Sequence, residues 1–309
     1  MFRAAALLKL VLQARHGNFL ACKNKTPIVY SPWPNMLLLR FPLVRLRAVA
    51  VPAVIAILWT AFPGPAQALR VCADPDYLPF SNRAGEGFEN KIAEAVAKSL
   101  GETVTYTWAS SRGNGGFPQF LAVTLDANKC DLVMNIPYGS REELTSRPYY
   151  ISSYVFVFEK AKTYDIKSMD SPVLKRVKVG FERETPAESA LKIRGMLLGA
   201  FGFDVGDEST QSPATMLSTL KSGKIDVLIT WQPAIGLFLR QYPEFEVVAV
   251  PNERAMGSPE QYAFPMSMGV RLSDEPLKKR LDEVIEKHQA ELAAILAENG
   301  VKLYTPLQP

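Results

Sequence analysis

The sequence predicts an α/β protein of two similar lobes with a ligand cleft between them, and three observations carry that prediction. From residue 69 onward, short β-branched runs alternate with stretches of helical apolar periodicity, the pattern of mostly parallel sheets flanked by helices. The segment LDANKCDLVMNIPYG (125–139) aligns without gaps on LKSGKIDVLITWQPA (220–234). Leu125 and Leu220, Lys129 and Lys224, and Asp131 and Asp226 are identical pairs, while Asn128 and Gly223 are both residues that end helices in the left-handed conformation. Finally, 309 residues with 48% hydrophobic and 21% charged side chains suffice for two packed lobes, and a cleft between lobes is a natural ligand site.

The elements follow in order. RVCAD (70–74) is a strand, and FENKIAEAVAKSLG (88–101) a helix with Phe88, Ile92, Val96 and Leu100 on one stripe and Gly101 as its left-handed stop. TVTYTW (103–108) is the next strand, a helix begins near Pro118, and DLVMN (131–135) is a third strand. RVKVGF (176–181) opens the second half. Thr185 as N-cap, Pro186 at N1 and Glu188 at N3 announce a helix with a capping box. SPATMLSTLKSG (212–223) is a further helix that leads into a strand centred on Val227, Leu228 and Ile229, with Trp231 at its end. In open α/β sheets the ligand lies beyond the carboxyl ends of the strands, which makes the indole at 231 conspicuous.

The first 68 residues read as a leader. Arg40, Arg45 and Arg47 precede the 15-residue apolar run AVAVPAVIAILWTAF, and Ala66-Gln67-Ala68 ends in the small-x-small pattern of a cleavage site. Residues 36–68 are therefore read as a signal peptide, with a mature start at Leu69, export to the periplasm and no membrane span in the mature chain. An uncleaved anchor is the alternative, but the run is short for a span. Met36 stands where such a signal begins, so residues 1–35 read as an upstream extension. Residues 1–68 hold eight of the 35 Lys and Arg and none of the 31 Asp and Glu, which leaves 27 basic against 31 acidic residues beyond them. The exported part thus carries net −4 and offers no electrostatic case for nucleic acid. Cys22 leaves with the leader. Cys72 and Cys130 remain, an even pair in an oxidising compartment: a disulfide, or two separate buried thiols.

Several stretches carry a resemblance. DPDYLPFSN (74–82), GFENKIAEAVAKSLG (87–101), ANKCDLVMNIPYGSREEL (127–144), RPYY (147–150), FPMSMGVRL (264–272) and LKKRLDEVIEKH (277–288) resemble the type 2 periplasmic solute-binding proteins over essentially all of 69–305. Within that superfamily, VCADPDYLPFSN (71–82), GFENKI (87–92), SSRGNGGFPQF (110–120) and VGFERETPAESALK (179–192) are most similar to the MoxJ/MxaJ-type proteins associated with periplasmic quinoprotein methanol dehydrogenase. The resemblance implies a first lobe of residues 69–157 plus 255–309 and a second of 158–254. YVFVFEK (154–160) and FEVVAVP (245–251) would be the crossing strands. It also implies a partner, the pyrroloquinoline-quinone (PQQ) methanol dehydrogenase and its cytochrome c, and no cofactor held by this chain.

The departures from the superfamily pattern bear on the ligand. Its amino-acid binders clamp the α-carboxylate with an Arg and a Thr or Ser of the first lobe and hold the ammonium with an Asp of the second. Here Arg141 stands at the Arg position, Tyr138 fills the Thr position and Trp231 the Asp position. An ammonium desolvated without a charge partner costs several kcal/mol, so the sequence argues against an amino-acid ligand. Trp231 either stacks on a ligand or seals the cleft. Arg141 either binds a carboxylate or sits exposed at a helix start, because SREEL (140–144) is itself a capping box. Tyr77 and Phe80, in the loop after the first strand, and Asn135, Thr185 and Gln232, at element ends, complete the candidate cleft set. The glycine-rich RGNGG (112–116) lacks a phosphate-loop Lys and reads as a mobile loop.

Catalysis is hard to build from these residues. Beyond the leader the one histidine is His288, on the polar face of the C-terminal helix, which leaves neither a multi-histidine metal site nor a histidine-based triad. Carboxylate pairs at Glu86/Glu89 or Asp74/Asp76 are the remaining enzymatic candidates. Two readings result: an accessory protein that assists assembly or activation of the dehydrogenase, or an ABC-transporter receptor for a small non-amino-acid solute.

Overall fold

The computed structural model describes residues 67–112, 115–205, 212–255 and 258–304. The chain divides into the units 1–60 and 61–309, and the described residues all belong to the second. The leader up to residue 66, and with it Cys22 and the export signal, lies outside the described residues.

The helix and strand predictions hold for the main elements. Strand β1 (Ala68–Ala73) is followed by helix α1 (Phe88–Leu100), strand β2 (Thr103–Trp108), helix α2 (Gly116–Val123) and strand β3 (Leu132–Pro137). A long strand β4 (Tyr150–Glu159) leads to β5 (Val179–Glu182), α3 (Pro186–Ile193), β6 (Phe201–Phe203), α4 (Pro213–Lys221) and β7 (Val227–Trp231). The short helix α5 (Gln232–Ile235), strands β8 (Phe245–Ala249) and β9 (Ala263–Val270) and helix α6 (Glu275–Glu298) complete the chain. Helix α6 is interrupted at His288, whose backbone leaves the helical region.

Two parallel triplets form the ends of one continuous sheet of order β2-β1-β3-β9-β4-β7-β5-β6. In the first, Val71 of β1 lies between Tyr106 and Leu132; in the second, Phe181 of β5 lies between Gly202 and Ile229. Antiparallel strands β9 and β4 join them. The first half of β4 pairs with β9, Tyr150 opposite Met266, and its second half pairs with β7 and β8, with Phe158 opposite Val227 and Val157 opposite Val247. A single strand therefore takes part in both halves, which fastens the two sets of strand ends to one backbone.

Each half buries its own core. Phe88, Ile92 and Val96 of α1 are fully buried against β1, β3 and the apolar face of α6, each stabilising by roughly 1.5–3 kcal/mol. In the second half Phe156, Phe158, Phe181 and Ile229 form the equivalent layer beneath α3, while Leu228, Met216 and Leu217 fill the opposite face beneath α4. Cys72 and Cys130 are joined in a disulfide that ties β1 to the start of the β3 segment. One close approach matters for the site. At Gly87 an added Cβ would fall 2.0 Å from the carbonyl oxygen of Phe80, so only glycine lets the loop 79–81 lie across the first turn of α1. There the amides of Phe88 and Glu89 donate to the carbonyls of Pro79 and Phe80.

Candidate functional site

The carboxyl ends of β3, β5 and β7 converge with the loop after β1 on a cavity of about 260 Å³, lined by Tyr77, Phe80, Pro137, Tyr154, Glu182, Pro186, Trp231, Ala234, Phe264 and Met266. The strand-end rule thus places the site where expected, with one wall from each half of the sheet. Trp231 ends β7 with its indole on this cavity, and it also packs against the cores of both halves. The indole thus lines the cavity and packs against both cores. Its ring lies 5.4 Å from that of Tyr154 and 6.0 Å from that of Phe264, and Tyr154 and Phe264 are 6.4 Å apart. The interplanar angles are 54°, 66° and 72°, so the three rings form the sides of a box and not a stack. Tyr77 and Phe80, their rings 4.9 Å apart, line the same cavity.

One carboxyl enters this box. Glu182, the last residue of β5, accepts a hydrogen bond from Thr230 Oγ1 at 3.1 Å. Burial pushes its carboxyl above the ordinary value, and the bonds from Thr230 and from the backbone of Trp231 pull it back. No Lys, Arg or His lines the cavity.

A second cavity of about 210 Å³ shares Tyr77, Phe80 and Pro137 with the first and is lined besides by Cys72, Asp74, Ser81, Glu89, Ser111, Phe117, Phe120 and Asn135, among others. Asp74 is buried and fully engaged: it accepts from the amides of Asp76 and Ser111 and from Ser111 Oγ, and the guanidinium of Arg112 stands 3.7 Å away. Arg112 also lies over the Tyr77 ring at 4.4 Å, so this cation is committed to the loop. Glu89, on the first turn of α1, is only partly accessible. Burial, reinforced by the charge of Asp74, pushes its carboxyl up to about 8.

The remaining candidates separate. Asn135 lines the second cavity with a left-handed backbone (φ 63°) and accepts a hydrogen bond from the hydroxyl of Tyr150. Thr185 sits at the start of α3 as predicted, but the capping box is not made: its hydroxyl donates to the carbonyl of Glu182 at 2.6 Å, and Glu188 takes the amide of Glu184 instead. Thr185 therefore braces the strand end that carries Glu182. Gln232 faces away from the cavity. It is buried, donates to the carbonyl of Gly300 and accepts from the amide of Lys302, so it ties the C-terminal segment to α5. Tyr138 is 56% exposed and lines neither cavity. Arg141 is exposed and also lies outside both, and no helix follows it. Ser140 and Glu143 do bond to each other at 2.6 Å, but Leu144 and Thr145 then pair with Val270 and Gly269 of β9, which draws the chain into the sheet. Of the carboxylate pairs read from sequence neither lines a cavity as a pair: Glu86 is exposed and bonded to Asn82, Asp76 is exposed, and Asp74 and Glu89 share the second cavity.

Glu182, Tyr154 and Phe264 were missed by sequence reasoning, and Glu89 was named only as the partner of Glu86. For Glu182 a signal existed, a charged residue closing a short apolar strand. Tyr154 and Phe264 lie on β4, which pairs with β7, and on β9, which pairs with β4, and no local pattern announces either pairing. Among the described residues no helix is long and apolar enough to cross a membrane, and no cluster of three or more His, Cys, Asp or Glu side chains could hold a metal ion.

Comparison with known proteins places this geometry. The model of the bacterial extracellular solute-binding proteins, family 3, matches residues 69–299. Protein MoxJ of Methylorubrum extorquens is 34% identical over 250 residues, covering 75% of this chain and 80% of its own, and protein MoxJ of Paracoccus denitrificans is 28% identical over 254 residues, covering 76% and 88%. Among solved structures, MxaJ from Methlophaga aminisulfidivorans MPT superposes with a TM-score of 0.70 at 27% identity, covering 76% of this chain and all of that one. The periplasmic binding protein XoxJ from Methylobacterium extorquens AM1 gives a TM-score of 0.62 at 33% identity, covering 77% and 99%. An ancestral cationic amino acid solute-binding protein, 23% identical with a TM-score of 0.58 over 75% of this chain and 95% of its own, shares the fold. This chain belongs to the bacterial extracellular solute-binding proteins, family 3, with MoxJ-type relatives and the two-lobed type 2 periplasmic binding protein fold.

Proposed function

We propose that this protein is a non-enzymatic periplasmic accessory protein of methanol oxidation, which assists assembly or activation of the PQQ-dependent methanol dehydrogenase. The observation that carries the reading is the cleft itself. It keeps the strand-end position of a solute-binding site, yet Trp231 stands where the ammonium partner of an amino-acid binder would be, and no basic side chain lines the cavity to hold a carboxylate. The likeness to the MoxJ proteins supports an association with the methanol dehydrogenase system. In this proposal the chain is exported with a mature start at Leu69. Residues 69–157 plus 255–309 form one lobe and 158–254 the other, and the dehydrogenase, with its cytochrome c, is met through the protein surface. The test is a binding titration of the exported protein against purified dehydrogenase with and without its quinone and metal. Tighter binding to the unloaded dehydrogenase is expected, whereas equal or absent binding overturns the assembly role. N-terminal sequencing of the exported protein tests the start at Leu69.

The existence of an open apolar cavity favours one second reading, a transporter receptor for a small solute other than an amino acid. A ligand that stabilises the protein without any binding to the dehydrogenase would favour it.

A further inference from the structure

We propose that the cavity between the strand ends is a site for a small organic monocation of the alkylated-ammonium class, held by the faces of Trp231, Tyr154, Phe264 and Tyr77 with Glu182 as its counter-charge. Three properties of the site argue together. The first is shape: the rings of Trp231, Tyr154 and Phe264 meet at 54° to 72°, which encloses a rounded group on several sides and leaves no parallel slot for a flat aromatic ligand. Tyr77, which also lines the cavity, adds a fourth ring.

The second is charge. Ring faces are electron-rich and attract a cation within about 6 Å of the centroid, most strongly where water is excluded. Glu182 lines the same box, its carboxyl bonded by Thr230 and by the backbone of Trp231 but paired with no base among the described residues. Glu89 lines the adjoining cavity, and the guanidinium of Arg112 is committed to Asp74 and to the ring of Tyr77. Glu182 is thus the carboxyl on the lining of the box, and no basic side chain on that lining offsets it. A carboxylate ligand finds no donor of positive charge here, which separates this cleft from an amino-acid site, where a zwitterion needs both poles held.

The third is size. About 260 Å³ lies just below the usual range of roughly 300–1,000 Å³ for small-molecule pockets, room for a compact ion and not for an extended one. Strand ends, braced by the Thr185 hydroxyl on the carbonyl of Glu182, hold the acidic wall in place before any ligand arrives.

The inference rests on the walls of the cleft and not on the dehydrogenase partnership, so its failure would leave the dehydrogenase titration untouched. The exported protein is titrated calorimetrically with tetramethylammonium and choline, with 3,3-dimethyl-1-butanol as the uncharged counterpart of choline, and with arginine and benzoate as carriers of a carboxylate. Choline and tetramethylammonium are expected to saturate the site and to bind at least about tenfold more tightly than the uncharged alcohol. Arginine and benzoate are expected to bind more weakly than either cation. Glu182→Gln, which keeps the side chain's shape, should reduce the preference for choline over the alcohol without weakening the alcohol. Phe264→Leu is the second variant, expected to weaken the cations more than the alcohol even if the first does not fold. Equal affinity for choline and the alcohol, tighter binding of benzoate or arginine, or no saturation by the cations at millimolar concentration overturns the proposal.

Discussion

The strand that ends at Pro137 and the strand that ends at Trp231 begin with the same local device and part ways at both flanks. In each, a left-handed residue stops a helical turn, Asn128 at φ 56° and Gly223 at φ 72°, a Lys follows, and an Asp enters the sheet. The amide of Asp131 donates to the carbonyl of Arg70 and that of Asp226 to the carbonyl of Lys178, both at 2.7 Å, so each Asp splices its strand to the neighbouring parallel one. The side chains then differ. Asp131 takes Arg70 and Arg271, each at 2.8 Å, whereas Asp226 takes only the backbone amide of Lys178. Cys130 is cross-linked to β1, while its counterpart Ile225 is simply buried. At the far end, Ile136 is buried where the aligned Trp231 faces the cavity. The first half is held by bonds across strands, the second by apolar packing that leaves its strand end free to carry the site's indole and carboxyl.

That contrast can be broken most strongly at the disulfide. Opening a loop closed over a separation of 58 residues, by Cys72→Ala with Cys130→Ala, should cost about 4 kcal/mol in the chain-entropy model and should lower the denaturant midpoint. No change would mean that packing around Phe120 and Leu125 already holds that strand pair. A finer comparison sets Asp131→Ala against Asp226→Ala. Burial alone would raise the Asp131 carboxyl, but the bonds from Arg70 and Arg271 outweigh it and hold it below the usual range. Its loss should cost about 2 kcal/mol, against about 1 kcal/mol for the exposed Asp226 bond, read by urea unfolding. Equal costs would dissolve the distinction between the halves. The smallest effect concerns Glu89. Its folded pKa of about 8 lies above its ordinary 4.5, so the folded state holds the proton more tightly than the unfolded chain. Stability from this group is therefore present below the ordinary value and lost as pH rises toward 8. Glu89→Gln should flatten that decline and raise Tm at pH 8 by about 2–4 °C, with little change at pH 5. An unchanged slope would show that Glu89 is solvated in the folded state.

Much of the fold was legible because it is written in local chemistry. The apolar stripe of α1, the left-handed stops at Asn128 and Gly223 and the Pro186 helix start each depend on neighbours within a few residues. The disulfide was one of two readings of an even cysteine pair, settled by the adjacency of β1 and β3. The site was legible only in part. Tyr77, Phe80 and Trp231 were found because a strand end is a local signal and a position at once. Gln232 has the same signal and faces the other way, because Gly300 and Lys302, close to 70 residues downstream, claim its amide. Arg141 and Tyr138 were placed by the superfamily pattern, and a two-residue pairing with β9 carries them outside.

By itself, then, the sequence determined the order and kind of the elements, the repeat that makes two halves and the indole at a strand end, since these follow from periodicity and nearest-neighbour backbone chemistry. Only the tertiary structure decided which side chains share a cavity. Tyr154 and Phe264 meet Trp231 because β4 pairs with β7 on one edge and β9 on the other, and Glu182 meets it because β5 runs parallel beside β7; such long-range pairing sets the direction of every side chain that alternates along those strands.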